Sequence, residues 1–582
     1  MNITLKQYYR ILAKYLRVQR GRSALLALLV FGSIGLQIVT PQIMRYFIDA
    51  ATSGKALHVL LLAAVLFTVS ALVQQGIGVG AAYMGEYVAW VATNALREDL
   101  ATHCLRLDMR FHHERSPGEL IERIEGDCLD FSNFFSQLVL RVAANILLLA
   151  GILVALFLVN RRLGEAFTLF AVVTVVGLYF VRGIAVPYQK AHRDAMTDLQ
   201  GFLEERLAGT EDIRSSGAVD FVLRQLFGLQ TTIFRCFRKA SLYGLLVGVT
   251  AGLLLMCGYG IAFVLGYHLY QQHLITIGIA YLIVHYTGFI ARPVRELTQQ
   301  VEGLQNIGAT VERMLEVLDQ ASGIVEGPGA GLPCGEALAL EFDGVSFAYF
   351  EDKPVLHDIS FRLAPGEVLG LLGRTGSGKT SIARLVFRLY EPQQGALRLN
   401  GTDIRQATLE DLRHRVAFVT QDVQLFQASV RDNITFFNRE VSDARIMEVI
   451  AALELGEWFA GLPEGLDTRL QTGGRSLSAG EAQLLAFTRV FLRDPGLIVL
   501  DEASSRLDPA TEGLVERAID HLLANRSAIV IAHRLHTLQR ADDVLLLEEG
   551  RVVEYGHRQA LLADTASRYY GLHQTGLEEV LA

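Results

Sequence analysis

Over the first 320 residues, stretches without charge alternate with densely charged ones, and that alternation predicts the elements. No Asp, Glu, Lys or Arg lies between Arg22 and Arg45, nor between Lys55 and Glu86. Each stretch is long enough to cross a bilayer core of roughly 30 Å as a helix. Phe131 to Asn160 and Glu165 to Pro187 give a third and a fourth span, joined by a short turn at Asn160 to Gly164. Arg141 and Arg182 fall near their cytoplasmic ends, where long side chains snorkel. From Ala240 to Ala291 there is no charged residue at all. One helix of that length would measure about 78 Å, more than twice the core, so the stretch folds back. His268 to Gly278, with Gln271, Gln272 and His273, reads as its outer turn. Six spans follow, an even number that returns the chain to the side on which it began.

The charged stretches between the spans, Glu86 to Asp130, Tyr188 to Lys239 and Arg292 to Asp319, read as polar helices continuing the spans into the cytoplasm. Residues 1–22 hold Lys6, Arg10, Lys14, Arg17, Arg20 and Arg22 with no acidic residue, while Leu5, Tyr8, Tyr9, Leu12, Tyr15 and Leu16 recur at helical spacing. This predicts an amphipathic elbow helix on the membrane surface, and the positive-inside rule puts it in the cytoplasm. Arg161 and Arg162 then lie outside, a mild breach of that rule. The organisation expected is an elbow at 1–22, a six-span membrane domain with cytoplasmic extensions at 23–320, a Gly- and Pro-bearing linker at 321–335, and an α/β domain with a helical subdomain at 336–582.

Composition sharpens this picture at three points. Residues of hydrophobic type make up 51% of the chain and charged ones only 20%, which is richer in apolar residues than soluble proteins are. The net charge of -8 and the scattered Lys and Arg argue against nucleic acid as a partner. Cys104, Cys128, Cys236, Cys257 and Cys334 show no metal-binding or pairing spacing and read as packing residues.

Chemistry enters at GRTGSGKTS, which comprises Gly373, Arg374, Thr375, Gly376, Ser377, Gly378, Lys379, Thr380 and Ser381. An apolar strand, Glu367 to Leu372, precedes it and a helix start follows. The glycines let backbone N–H groups curl around a phosphate chain, Lys379 reaches the outer phosphates, and Thr380 offers a hydroxyl to Mg²⁺. The expected ligands are ATP and Mg²⁺. A second apolar strand begun at Gly496 ends in Val499, Leu500, Asp501 and Glu502. There Asp501 can hold Mg²⁺ through water and Glu502 can polarise an attacking water.

Six spans with two long cytoplasmic excursions, followed by a P-loop domain, resemble a half-transporter of the ATP-binding cassette exporter class, over nearly the whole chain. The resemblance implies coupling helices at the cytoplasmic turns, matched here by Met109 to Leu120 (MRFHHERSPGEL) and Leu207 to Ala218 (LAGTEDIRSSGA). It implies that Gln421, in VAFVTQD, meets those turns, contacts Mg²⁺ and takes part in hydrolysis, and that His533, in VIAHRL, contacts the γ-phosphate. Tyr349, in FAYF, matches the aromatic that stacks on adenine, ahead of Phe347 or Phe350. Leu477 to Glu481 reads LSAGE where the family has LSGGQ: Ser478 and Gly480 are kept, Ala479 and Glu481 depart. Asp508, in SSRLDPATE, matches the aspartate that crosses the dimer seam.

The expected activity is ATP hydrolysis coupled to export of a small or amphipathic solute, whether drug, lipid or peptide-like, by alternating access. The alternatives are an importer on the same fold and an ATP-gated protein that does not pump. The expected partners are the bilayer, the solute and a second half-transporter. The altered signature favours a heterodimer over a homodimer, and the site expected is a bacterial inner membrane. Gln37, Gln74, Gln75, Asn145, Tyr259 and His285 either line a cavity or pack helices together.

Overall fold

The computed structural model describes residues 13–133, 140–329, 331–332, 337–350, 353–471, 477–501, 509–532 and 535–575. The first half of the expected elbow, Cys334, and Glu502, Asp508 and His533 lie outside the described residues. The chain divides into two compact units, residues 1–105 with 117–320, and residues 106–116 with 321–582. The second unit thus includes a short segment from the first excursion, which the sequence assigns to the membrane domain.

In the first unit, α1 (Arg20–Thr52) and α2 (Leu57–Arg106) are followed by the short α3 (Met109–Glu114), which belongs to the second unit. The first unit continues with α4 (Leu140–Val159), α5 (Arg161–Ala208), the short α6 (Thr210–Ser215), α7 (Val219–Gln271) and α8 (Ile277–Leu318). Among the described residues α1, α2, α4, α5 and α7 are long and apolar enough to cross a membrane, and the start of α8, Ile277–Ile290, is a shorter apolar helix. The fold-back expected between Ala240 and Ala291 falls where α7 ends at Gln271 and α8 begins at Ile277.

These helices enclose a core of Ile34, Leu156, Phe167, Ile283 and Tyr286. The polar end of Tyr286 is paired inside this core, as burial requires: its hydroxyl donates to the Ile38 carbonyl at 2.8 Å and accepts from Gln42 Nε2 at 3.0 Å. Asp49 of α1 caps α8 from across the bundle, accepting from Gly278 N and Thr276 Oγ1, both at 2.9 Å. A Cβ on Gly278 would stand 2.5 Å from the Arg45 carbonyl, so only glycine allows this approach. Large apolar side chains such as Leu61, Phe180 and Phe263 face outward on α2, α5 and α7, a surface that suits lipid tails rather than water.

The second unit is built on two sheets. One is antiparallel, in the order β2 (Lys353–Leu363), β1 (Leu340–Phe350), β4 (Gln394–Leu399), β5 (Thr402–Asp403). The other has six strands in the order β10 (Arg551–His557), β9 (Asp543–Glu548), β3 (Val368–Gly373), β8 (Ser527–Ile531), β7 (Leu497–Asp501), β6 (Val416–Val419), all parallel except β10. Successive residues of β3 enter opposite cores, Leu369 and Leu371 on one face, Val368 and Leu372 on the other. Both faces are covered, which explains why these strands read as unbroken apolar runs.

Candidate nucleotide site

Because β3, β8 and β7 are adjacent and parallel, their carboxyl ends open on one edge of the sheet, where ligands of such folds bind. Gly373 ends β3, Asp501 ends β7, and Gly378 is the N-cap of α9 (Lys379–Val386). Gly373, Gly376 and Gly378 have φ of 151°, 84° and 107°. A Cβ at Gly373 would lie 2.3 Å from the Leu547 carbonyl oxygen, and one at Gly378 2.5 Å from Leu356 Cδ2. The loop is therefore held in a curl that admits no side chain at either end, with the first-turn N–H groups of α9 at its mouth.

Inside the curl, Lys379 is only 5% exposed and its ammonium donates to the carbonyls of Gly373 at 2.6 Å and Arg374 at 3.1 Å. The Ser377 hydroxyl is buried with no partner among the described residues. A buried orphan hydroxyl beside a buried ammonium fits a polyanion, which would satisfy both. Thr380 Oγ1 donates to Asp501 Oδ2 at 3.3 Å, so a hydroxyl and a buried carboxylate meet where a hard cation takes oxygen ligands.

Tyr349 reaches this loop from β1. Its hydroxyl is 3.0 Å from Ser381 Oγ and accepts from Arg384 Nη1 at 3.0 Å, while its ring stands edge-on to Phe347 and Tyr390. Of the other two aromatics weighed for adenine, Phe347 is buried in the core and Phe350 is exposed. Gln421 lies just past β6, on the same edge of the sheet, and is exposed.

The signature stretch forms the start of α10 (Ala479–Arg493) through a capping box. Ser478 Oγ accepts from Glu481 N at 3.2 Å, and Glu481 Oε2 accepts from Ser478 N at 2.7 Å. Gly480 is buried behind it. Glu481, which the sequence presents only as an added charge, is thus also the residue that fixes where the helix begins.

Two relationships had no signal in the sequence. Arg489 of α10 donates to the carbonyl of Asn433 at 2.6 Å and to that of Gln424 at 3.1 Å, joining the signature helix to the segment after Gln421. Burial pushes its guanidinium down to about 10. On α3, Asp108 caps the helix through Phe111 N at 3.1 Å and also accepts from Gly323 N at 2.6 Å. The Tyr390 hydroxyl donates to the Met109 carbonyl at 3.3 Å, and the His113 ring lies 6.0 Å from Tyr349 and 5.9 Å from Phe350. The first coupling segment therefore packs on the aromatic cluster that holds Tyr349.

Comparison with known proteins agrees with this geometry. The family description "ABC transporter transmembrane region" matches residues 24–294, and "ABC transporter" matches residues 356–505. The chain belongs to the ABC transporter family. It is 30% identical to an ATP-dependent lipid A-core flippase of Pseudomonas fluorescens, with 99% of this chain and 97% of that one covered. It is also 30% identical to a fatty acid ABC transporter ATP-binding/permease protein of Mycobacterium bovis, over 80% of this chain and 74% of the relative. Among solved structures, a bacterial Atm1-family ABC exporter with ATP bound superimposes with a TM-score of 0.82 at 25% identity, covering 96% of this chain and all of the other. The protein is thus a membrane-embedded exporter half of the ABC family, which dimerises and couples ATP hydrolysis to export, with ATP and Mg²⁺ as its ligands.

Proposed function

We propose that this ABC exporter half sits in a bacterial inner membrane with both termini cytoplasmic, and moves an amphipathic solute outward as half of a heterodimer. The P-loop supplies the ATP cradle: Gly373 to Ser381 surround the phosphates, Lys379 carries their charge, and Tyr349 stacks on the base. Thr380, Asp501 and Gln421 hold Mg²⁺. When bound, that ion neutralises charge on the phosphates and orients them for attack. Glu502 polarises the attacking water and His533 contacts the γ-phosphate. Ser478 and Gly480 receive the nucleotide of the partner chain, with Asp508 at the seam. Closing two such domains around ATP biases the spans towards their outward-open arrangement, and hydrolysis resets them.

The observation that carries the heterodimer reading is the capping box. A glutamine at the third helical position caps without charge, whereas Glu481 places a carboxylate on the N-terminal end of α10. That end is where a γ-phosphate would also seek the helix dipole, so two anions compete for one site. Ala479 adds a methyl where the family has glycine. A weakened signature is tolerable when it serves one of two sites, while this chain's own P-loop and Glu502 work against a partner's regular signature. A homodimer is the second reading, favoured because Ser478 and Gly480 are kept and the helix start is well formed. ATPase activity of the chain purified alone and with its co-encoded half-transporter tests this: little solute-stimulated turnover alone and restored turnover together are expected. Strong, transport-coupled turnover by the chain alone would contradict the heterodimer.

The lipid substrates of the flippase and the fatty acids of the mycobacterial relative agree with an amphipathic solute. The exposed apolar surface of α2, α5 and α7 gives such a solute access from the bilayer. Competition of candidate amphiphiles for solute-stimulated ATPase activity tests that choice.

A further inference from the structure

The base platform and the phosphate cradle stand on different elements. Tyr349 comes from the end of β1, whereas Gly373 to Ser381 run from β3 into α9. A nucleotide engages both at once only if the ring is held at a fixed place relative to the loop. Packing alone does not hold it. The Tyr349 side chain is half-buried, and Phe347 and Tyr390 meet it at 79° and 89°, so neither lies flat against it.

Its hydroxyl is what ties it down. That oxygen accepts from Arg384 Nη1 at 3.0 Å, which leaves the phenol proton for Ser381 Oγ, also at 3.0 Å. Both partners belong to the helix that the loop opens: Ser381 is the third residue of α9 and Arg384 the sixth, neighbours on one face. The helix is itself anchored, with Ile382, Ala383, Leu385 and Val386 buried. The guanidinium carbon of Arg384 is 5.7 Å from the Tyr349 ring centroid. Arg384 is half-buried and has no carboxylate partner among the described residues, so the phenol, and not an ion pair, orders its long side chain.

We propose that Arg384 is a positioning residue of the nucleotide site: with Ser381 as the second anchor, it registers the Tyr349 ring to the phosphate cradle. This rests on the reading of Tyr349 as the adenine platform. The contribution of the base to affinity then depends on Arg384, while that of the phosphates does not. Without the anchor, the ring has to be ordered at each binding event, and that cost falls on nucleotide affinity.

The test is displacement of a fluorescent ATP analogue from the full-length protein in lipid nanodiscs, by non-hydrolysable AMP-PNP and, separately, by inorganic tripolyphosphate. Arg384→Met is expected to weaken AMP-PNP roughly five-fold or more, while tripolyphosphate changes less than about two-fold. Arg384→Lys, which keeps a donor, should recover part of the loss. Tyr349→Phe, which lacks only the phenol oxygen, should weaken AMP-PNP to a similar degree, and the double variant should be no weaker than the single ones. If Arg384→Met fails to fold, Tyr349→Phe carries the same comparison of the two displacers. Unchanged AMP-PNP affinity in Arg384→Met, an equal loss for both displacers, or additive losses in the double variant would overturn the assignment. Failure of the adenine reading shows separately, as a Tyr349→Ala protein that binds AMP-PNP as tightly as wild type.

Discussion

The Tyr390 hydroxyl donates to the Met109 carbonyl at 3.3 Å, joining two segments far apart in sequence. The same Tyr390 ring stands edge-on to Tyr349, at 5.0 Å between centroids and 89° between planes. The first coupling segment is therefore in contact with the residue proposed to hold adenine. A neutral hydrogen bond of this kind is worth about 1 kcal/mol. Tyr390→Phe is expected to lower solute stimulation of the ATPase several-fold while basal turnover changes less than about two-fold. His113→Ala, which removes the ring facing Tyr349, should act in the same direction. The ratio of stimulated to basal activity in proteoliposomes checks both.

Lys379 and Glu502 should separate binding from chemistry. Removing the buried ammonium in Lys379→Ala is expected to weaken ATP binding by at least about ten-fold, a loss of charge-assisted contacts with the phosphates. Glu502→Gln should bind ATP as wild type does and hydrolyse it orders of magnitude more slowly. Nucleotide binding by fluorescence and single-turnover hydrolysis measure the two effects, and wild-type turnover in Glu502→Gln would refute its assigned role.

The loop glycines should differ in a definite order. Gly373→Ala meets the Leu547 carbonyl at 2.3 Å as well as an unfavourable φ, whereas Gly376 has φ of 84° but no atom within 4 Å of its missing Cβ. Backbone strain alone costs of order 1–3 kcal/mol. Gly376→Ala should therefore fold with weakened ATP affinity, and Gly373→Ala should lose both thermal stability and binding. Melting temperatures with and without Mg²⁺–ATP check the order.

At the signature helix, charge and capping are separable. Glu481→Gln keeps an acceptor 2.7 Å from Ser478 N but removes the negative charge. It is expected to raise ATPase activity of the chain purified alone and to leave the melting temperature nearly unchanged. Glu481→Ala should instead lose stability by about 1 kcal/mol, since the reciprocal bond is gone. No gain of activity in Glu481→Gln would remove the electrostatic basis of the heterodimer proposal.

Much of the fold was legible because its elements are encoded locally. Charge-free stretches mark helices that must avoid water, and the apolar runs before Gly373 and Glu502 mark strands covered on both faces. The P-loop was legible because glycine and lysine at that spacing serve one geometry. The place of residues 106–116 was not legible. Asp108, Met109 and His113 look like an ordinary polar turn, and their contacts with Gly323, Tyr390 and Tyr349 are made across the chain. Nor was Arg388 foreseen. Fully buried and at φ of 49°, it donates to Val325 O at 2.7 Å and pairs with Glu391, fixing the linker to the nucleotide domain. The capping role of Glu481 was hidden for another reason: the motif comparison registers it only as a departure, while the helix start explains it.

The most direct test of ATP-driven export is transport into inverted membrane vesicles that hold this chain with its partner half. ATP should drive uptake of an amphiphile against its gradient, and Glu502→Gln and Lys379→Ala should each abolish uptake, the former with ATP still bound. Uptake that persists in both variants, or that proceeds without ATP, would contradict the account.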